Sequence, residues 1–366
     1  MHKWICRYQR GGKTWFLEQS KRPHQLPRRV SPTFERLVLR THTRLRSRRN
    51  PLGFYGAEAI AHELLALGIR SLPSIRTIHR ILVRHHRVIR KRRDRSRKGP
   101  PLPGPLVGQQ NDVHQIDFIV GHYLSSQRPV VVLNRKDLAT GLVGGTVELD
   151  RRVHRVLAFL VRDWQHHGVP RFLQMDNDMS LTGGHMHPRS LGQVVRLCLA
   201  CRVVPVFTPE RRPAANACVE RYNGLWQEKV WKRYRFRTLG QLRRRSLAFQ
   251  DAYNTHLTQR LNRQESPTIV KADLRFLPPD LRLGHPLPLY RGQIWFIRRV
   301  NEQGHIQILN EPIRLPLRYA QEFVRVVIRT GPQTLSVYWR PSESKRFRRI
   351  SHRSYQLREK ARTPQR

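Results

Sequence analysis

Three acidic residues stand where separate elements of the chain can bring them together. Asp117 lies inside an extended run, between Ile116 and Phe118. Asp176 directly follows the short apolar run RFLQM, and Glu220 lies in a later segment with a helical pattern. Because the ends of neighbouring strands converge on one edge of an α/β sheet, carboxylates from separate elements can meet there.

Three carboxylates at one place repel one another unless hard divalent cations neutralise them. Oxygen ligands suit Mg²⁺ or Mn²⁺. Two such ions about 3.5–4 Å apart can activate a water or a 3′-hydroxyl and stabilise the leaving oxygen of a phosphodiester. The spacing therefore favours metal-dependent chemistry on nucleic acid. It leaves a second interpretation open, in which the three acids are solvated surface residues.

The segment that carries these acids, residues 111–262, has the pattern of a mixed sheet flanked by helices. Three β-branched runs separated by turn residues come first, and strands then alternate with helices. The predicted strands are 114–124, 128–135, 141–149, 171–175 and 203–207, and the predicted helices are 153–168, 191–202, 215–234 and 239–255. A meander followed by βα alternation predicts an α/β core with a mixed five-stranded sheet.

The region before this core, residues 1–94, has the pattern of a helix-turn-helix. Residues 56–69 and 75–86 both have apolar residues at helical spacing, and Ser74 stands at the N-cap of the second helix. A glycine-containing turn and a basic second helix favour DNA binding, and a plain two-helix hairpin with a basic face stays open. The side chains predicted to contact DNA from this region are Arg76, Thr77, His79, Arg80, Lys91, Arg92 and Arg93.

The remaining segments are distinguished by composition. Residues 95–110 are basic and then rich in proline and glycine, and residues 263–285 contain a second proline-rich break, so both are predicted linkers. Five short strand patterns in residues 286–340 predict a small β-barrel. Residues 341–366 hold nine basic residues and few apolar ones, which predicts a disordered basic tail.

The composition of the whole chain indicates the partner. The 366 residues include 70 Lys and Arg against 25 Asp and Glu, a formal net charge of +45. Such a surface repels itself unless a polyanion neutralises it, and nucleic acid is the usual polyanion. No apolar run reaches 18 residues, the first residues lack a secretory pattern, and four cysteines do not make a disulfide framework. We therefore expect a soluble cytoplasmic protein without a membrane partner.

At the acidic residues the sequence resembles the DDE transposases and retroviral-type integrases, which share an RNase H-like core. HQIDF, QMDND and NACVERYNG resemble that family's three motifs. The third motif matches the pattern N-G-x-V-E-R-x-N-G except that Ala217 stands at the first glycine. Residues 73–82 resemble the N-terminal region of IS481-like bacterial insertion-sequence transposases. The C-terminal strands resemble the SH3-like DNA-binding barrel of integrases.

The resemblance implies a DNA transposase or integrase that performs metal-dependent DNA cleavage and strand transfer of a mobile element. Its implied partners are double-stranded DNA, at the element ends and at the target, and further copies of the chain in a homo-oligomer. Its implied location is the bacterial cytoplasm, in association with the nucleoid. The implied site has Asp117, Asp176 and Glu220 as the catalytic residues and as ligands of two Mg²⁺ or Mn²⁺ ions, Asn177 as a support, and Arg221 and Asn223 as contacts to DNA or to neighbouring backbone.

Several departures from the family pattern leave alternatives open. Asp178 replaces a glycine, and it either ligates metal or caps the next helix. The 43 residues between Asp176 and Glu220 exceed the usual spacing, and the surplus is assigned to a surface loop at 180–190. Gln227 stands where a basic residue is common. The alternatives are a catalytically inactive DNA-binding protein, from a decayed or repurposed transposase, and a metal-dependent nuclease. The opening residues resemble the latter part of a first helix-turn-helix, which predicts a late start or a truncation.

Overall fold

A computed structural model of the chain divides into two compact units, residues 1–92 and 93–366. It describes residues 2–9, 30–47, 49–88, 102–183, 188–210, 212–263, 274–281, 284, 286–341 and 346–363. The predicted DNA contacts Lys91, Arg92 and Arg93 lie outside these ranges. Within them, no helix combines the length and the apolar character needed to cross a membrane.

The smaller unit is helical. Its helices are α1 (His2–Gln9), α2 (Pro32–Arg46), α3 (Ala57–Ala66) and α4 (Ile75–Arg84). The Oγ of Ser74 accepts the backbone N–H of Thr77 at 3.2 Å, which confirms the predicted N-cap of α4. Buried apolar side chains from three of the helices form one core, and Arg84 pairs with Glu35 at 2.6 Å to join α4 to α2.

The helix predicted over residues 56–69 is shorter than expected. Ile60 and Leu64 are buried, whereas the side chain of Leu67, past the end of α3, is 54% exposed. Eight residues, 67–74, separate α3 from α4. This exceeds the three or four residues that join the helices in the shortest helix-turn-helix motifs. Both helices are confirmed, and the helix-turn-helix assignment stays a prediction.

The larger unit contains the predicted mixed sheet. Its first five strands are β1 (Val113–Tyr123), β2 (Pro129–Asp137), β3 (Val143–Glu148), β4 (Phe172–Met175) and β5 (Val204–Phe207). They lie in the order β3-β2-β1-β4-β5, where β2 is antiparallel to β1 and β3, and β4 and β5 are parallel to β1. This arrangement is consistent with an RNase H-like core.

Helices pack on this sheet. They are α5 (Val153–His167), α6 (Met179–Thr182), α7 (Gln193–Ala200), α8 (Ala217–Trp226) and α9 (Leu239–Arg263). A 3₁₀ turn at Pro213–Asn216 leads into α8, and a π-helical turn at Gln227–Trp231 follows it. The predicted apolar face of α5 is confirmed, since Val156, Leu160 and Trp164 are buried.

Six further strands follow in the C-terminal part of this unit. They are β6 (Gln293–Arg299), β7 (His305–Ile308), β8 (Glu311–Arg314), β9 (Phe323–Arg329), β10 (Thr334–Trp339) and β11 (Arg348–Ser354). Strand β6 pairs in parallel with β5, so β6, β9, β10 and β11 extend the core into one nine-stranded sheet. Strands β7 and β8 form a separate pair. The predicted barrel is not confirmed, because the paired strands among the described residues form an open row that ends at β11.

The prediction of a disordered tail over residues 341–366 is wrong for residues 346–363. Strand β11 pairs with β10 along its length, and the side chains of Tyr355 and Leu357 that follow it are buried. Arg196 of α7 forms an ion pair with Glu359 at 2.6 Å. Composition alone does not predict this ordered segment, because the basic side chains of β11 are exposed and only a few apolar residues supply the packing.

The two predicted linkers also contain ordered structure. Residue Leu102, the first described residue of the 95–110 segment, packs beside Val113 and Ile297 on the sheet. Helix α9 continues to Arg263, eight residues past its predicted end at 255. Beyond it, the carbonyl of Arg275 accepts the N–H of Val169 at 2.6 Å. Backbone hydrogen bonds thus hold part of a segment that its proline content alone predicts to be a linker.

Candidate active site

Asp117 lies in the middle of β1, opposite Asn134 of β2. Its Oδ2 accepts a hydrogen bond from Nδ2 of Asn223 at 2.8 Å, and Oδ1 of Asn223 accepts one from Nδ2 of Asn134 at 2.8 Å. The side chain of Asn223 is only 5% exposed. Of the two contacts open for Asn223, to DNA or to neighbouring protein, the structure favours the second: it is buried, with both ends of its amide engaged, and it holds Asp117.

Asp176 lies directly after the last residue of β4, and its Oδ1 accepts a hydrogen bond from the backbone N–H of Asp178 at 3.1 Å. Its neighbour Asn177 donates Nδ2 to the carbonyl of Thr208 at 2.8 Å and accepts from Nη2 of Arg298 at 2.8 Å. Asn177 therefore ties the segment after β4 to the segment after β5. The supporting role that the resemblance implies for Asn177 stays a prediction.

Asp178 caps the next helix. Its Oδ1 accepts from the backbone N–H of Ser180 at 2.9 Å and from the Ser180 hydroxyl at 2.6 Å, at the start of α6. Its Oδ2 forms an ion pair with Arg151. Of the two roles open for Asp178, the structure favours the cap, because both carboxylate oxygens are already engaged.

Glu220 lies in the first turn of α8, and two buried glutamines fix where that helix begins. Nε2 of Gln115 and Nε2 of Gln174 both donate to the carbonyl of Ala215, at 3.2 and 2.9 Å. Oε1 of Gln115 also accepts the N–H of Val219 at 3.2 Å. Side chains from β1 and β4 thus hold the start of α8 over the sheet.

Sequence reasoning missed these glutamines, although a signal for them exists. Gln115 and Gln174 each stand two residues before an acid, Asp117 and Asp176, in a strand that is otherwise largely apolar. Since side chains alternate along a strand, residues two apart share a face. A buried polar side chain needs a partner, so its repetition in two neighbouring strands indicates a third element to be held.

Asp117, Asp176 and Glu220 line one open cleft of about 360 Å³. Burial, followed by the charges of Asp176 and then Glu220, raises the pKa of Asp117 to about 6. Burial, followed by the charge of Asp178, raises the pKa of Asp176. Burial raises the pKa of Glu220. Negative charge in this cleft is therefore unfavourable without a cation, which is the expected property of a metal-binding carboxylate set.

The donor chemistry fits a hard divalent cation, because the three acids offer only oxygen. Among the described residues, no group of three or more His, Cys, Asp or Glu side chains is arranged so that it could hold a metal ion. The acids thus share a cleft without forming a ready-made cage.

The other predicted DNA contacts lie on helices. On α4, Arg76, His79 and Arg80 are exposed, whereas Thr77 is half-buried with its hydroxyl 3.0 Å from that of Ser74. On α8, Arg221 is exposed directly after Glu220. The exposed cations are accessible to a polyanion, and Thr77 instead belongs to the N-cap of α4.

No family model matches the chain, and no curated protein gives a significant match. Solved structures similar to it include the HTLV-2 integrase catalytic core domain in complex with magnesium, at 15% identity and a TM-score of 0.30 over 39% of this chain and 86% of that chain. The BIV integrase catalytic core domain is 12% identical, with a TM-score of 0.31 over 42% of this chain and 98% of that chain. The simian T-cell lymphotropic virus intasome is 14% identical, with a TM-score of 0.31 over 85% of this chain and 96% of that chain. Because TM-scores near 0.3 do not establish a shared fold, the strand order and the site residues carry the assignment that follows.

Proposed function

We propose that this chain is a DNA transposase or integrase of the DDE class, which cleaves DNA and transfers a strand of a mobile element into target DNA. The observation that carries this proposal is the convergence of Asp117, Asp176 and Glu220 on one cleft. The charges of the other two acids contribute to the raised pKa of Asp117. The three motifs that resemble the family's contribute one of these acids each.

The three acids are the proposed ligands of Mg²⁺ or Mn²⁺, with two ions in the working site. Bound there, such ions supply activation of a water or 3′-hydroxyl and stabilisation of the leaving oxygen. The chain's own residues position the ligands: Asn223 holds Asp117, and Gln115 and Gln174 hold the helix that carries Glu220.

The proposed partner is double-stranded DNA, both at the ends of the element and at the target. The net charge of +45 and the exposed arginines of α4 support this. The same proposal includes a helix-turn-helix at α3–α4 and DNA binding by the C-terminal strands. It also includes self-association that pairs two DNA ends, a bacterial cytoplasmic location and an IS481-like origin.

The test is a strand-transfer assay with Mn²⁺ and oligonucleotides that carry the DNA sequences flanking the gene. The full chain should join a cleaved 3′ end to target DNA. Glu220→Gln should retain DNA binding and lower joining by at least about 100-fold. The matched control is Glu228→Gln, an exposed acid eight residues further on, which should leave joining unchanged.

One observation favours a second candidate, a catalytically inactive DNA-binding protein. The described residues contain no closed metal-ligand cluster. If the chain binds DNA but wild type and Glu220→Gln both fail to cleave, this candidate replaces the transposase. Metal-dependent cleavage without joining would instead identify a nuclease.

A further inference from the structure

A buried arginine from the C-terminal strands reaches the candidate active site. Arg298 lies on β6, and only 7% of the residue is exposed. Its Nη2 donates to Oδ1 of Asn177 at 2.8 Å, and its Nη1 donates to the carbonyl of Thr208 at 3.0 Å. Its remaining acceptors are the carbonyls of Ile297 and Gln307, both at 3.0 Å.

Among the described residues, the four acceptors found for this guanidinium are neutral oxygens, and the charge of Glu210 only partly offsets the cost of burying it. A buried cation is costly unless its surroundings satisfy it, and burial lowers the pKa of Arg298 to about 10. An apolar side chain would fill the same space without this desolvation cost. The arginine is therefore better explained by what its hydrogen bonds hold in place than by stability alone.

The hydrogen bonds join the two chain segments that border the acids. The carbonyl of Thr208 accepts from both Arg298 and Asn177, so the three residues form a closed bracket. Asn177 directly follows Asp176, and the N–H of Thr208 donates to the carbonyl of Met175 at 3.0 Å. The bracket thus fixes the backbone on both sides of Asp176.

The pairing of β6 with β5 delivers the arginine to this place. Phe296 of β6 is opposite Phe207 of β5, and their rings stack with centroids 5.0 Å apart. Arg298 lies two residues beyond Phe296 on the same face of β6, and Thr208 directly follows Phe207. The C-terminal strands therefore reach the acidic cleft through the side chain of Arg298, in addition to the backbone pairing of β6 with β5.

We propose that Arg298 is a positioning residue, through which strand β6 holds the segment that carries Asp176 in its metal-binding geometry. The inference rests on the proposed function for its consequence in catalysis. Its structural part, the restraint of residues 176–178, can be measured without any activity.

The test compares Arg298→Ala and Arg298→Lys with the full chain. The matched control is Arg299→Ala, which removes the same charge from the next residue of β6, where the side chain is exposed. Three quantities are measured: the rate of strand transfer as a function of Mn²⁺ concentration, the affinity for DNA, and backbone hydrogen exchange at residues 177–183. Arg298→Lys keeps the charge and most of the volume, so it remains informative if the alanine variant does not fold.

We expect both Arg298 variants to need at least 10-fold more Mn²⁺ for half-maximal joining, and to join about 10–100-fold more slowly at low Mn²⁺. Hydrogen exchange at residues 177–183 should become faster, while DNA affinity stays within twofold of that of the control. Arg298 borders an open cleft of about 690 Å³, so guanidinium ion can enter the space left in Arg298→Ala. Added guanidinium should therefore restore joining and slow the exchange in that variant alone.

Unchanged hydrogen exchange at 177–183 in Arg298→Lys, or an equal effect of Arg299→Ala, would overturn the inference. If the wild-type chain neither cleaves DNA nor binds Mn²⁺, the proposed function fails. In that case faster exchange in the Arg298 variants, reversed by guanidinium in Arg298→Ala, would still support the restraint of this segment.

Discussion

At the scale of single residues, the candidate site is a set of acids held by amides. The acids stand in recognisable motifs, so the sequence alone predicts Asp117, Asp176 and Glu220 as candidates. The residues that hold these acids are harder to predict, because Asn134, Gln115 and Gln174 acquire their partners only when distant strands meet helix α8. The same reason explains why the sequence left the contact of Asn223 open, since its partner Asn134 lies on β2.

The raised pKa of Asp117 predicts how stability depends on pH without divalent cations. The folded chain holds the proton up to about pH 6 and the unfolded chain only to about 3.8. Stability from this group is therefore present below about pH 4 and is lost as the pH rises through about 6. At pH 7.5, Asp117→Asn should unfold about 2–4 °C higher than wild type, since partial solvent access limits the gain to about 1 kcal/mol.

The measurement is thermal unfolding of both proteins from pH 4 to 8, with and without Mg²⁺. The difference in unfolding temperature between Asp117→Asn and wild type should disappear at pH 4. At pH 7.5, Mg²⁺ should reduce this difference by stabilising wild type. Asp251→Asn, an exposed acid on α9, serves as the control and should track wild type throughout. A pH-independent difference between Asp117→Asn and wild type would refute the electrostatic origin.

At the scale of elements, local sequence predicts the five core strands well, because β-branched runs and helical spacing are local signals. Pairing between distant segments leaves no such signal. The C-terminal strand patterns were therefore recognised, whereas the pairing of β6 with β5 was not. Residues 346–363 were missed because exposed arginines on β11 dominate the composition, while the contacts of Tyr355 and Leu357 lie far away in sequence.

Strand β3 supports the site through the absence of a side chain at Gly145. A Cβ there would lie 2.4 Å from Oδ1 of Asn134 and 2.9 Å from the carbonyl of Leu133. Gly145→Ala should therefore displace Asn134 and, through Asn223, loosen Asp117. We expect a loss of about 1–3 kcal/mol in the free energy of unfolding, together with weaker Mn²⁺ binding.

Urea unfolding and Mn²⁺ titration check this prediction. Gly224→Ala in α8 provides the contrast, because its Cβ would meet nothing within 4 Å. In a helix that change should stabilise by about 0.5–1 kcal/mol. Wild-type stability in Gly145→Ala would mean that the space beside Asn134 is not restrictive.

At the scale of the whole molecule, the C-terminal strands and the core share one sheet, so the end of the chain contributes to the stability of the unit that holds the acids. Deletion of residues 346–366 removes β11 and the buried Tyr355 and Leu357. At about 1.5–3 kcal/mol for each buried side chain, the deletion should cost at least about 3 kcal/mol.

Thermal and urea unfolding of the truncated chain measure this cost. Arg348→Ala, an exposed substitution on β11, should stay within about 0.5 kcal/mol of wild type. Equal stability of the full and truncated chains would contradict this account and would support the disordered tail that the composition predicts.

The net charge of +45 predicts DNA binding that weakens steeply with salt, and α4 is the proposed recognition helix. Each phosphate contact contributes about −0.9 to the slope of log K against log salt. Replacing both Arg76 and Arg80 by alanine should reduce the slope by about 2. Replacing Arg36 and Arg40, which are exposed at the same spacing on α2, should change it less. Equal effects, measured by fluorescence anisotropy, would contradict a specific role of α4.

The central claim is that Asp117, Asp176 and Glu220 form one divalent-cation site. Its most direct test is Mn²⁺ binding to the metal-free chain, followed by electron paramagnetic resonance, for wild type and for Asp117→Asn, Asp176→Asn and Glu220→Gln. Wild type should bind Mn²⁺ saturably, and each substitution should weaken that binding by at least 10-fold, while Asp251→Asn leaves it unchanged. Wild-type affinity in all three variants would contradict the claim.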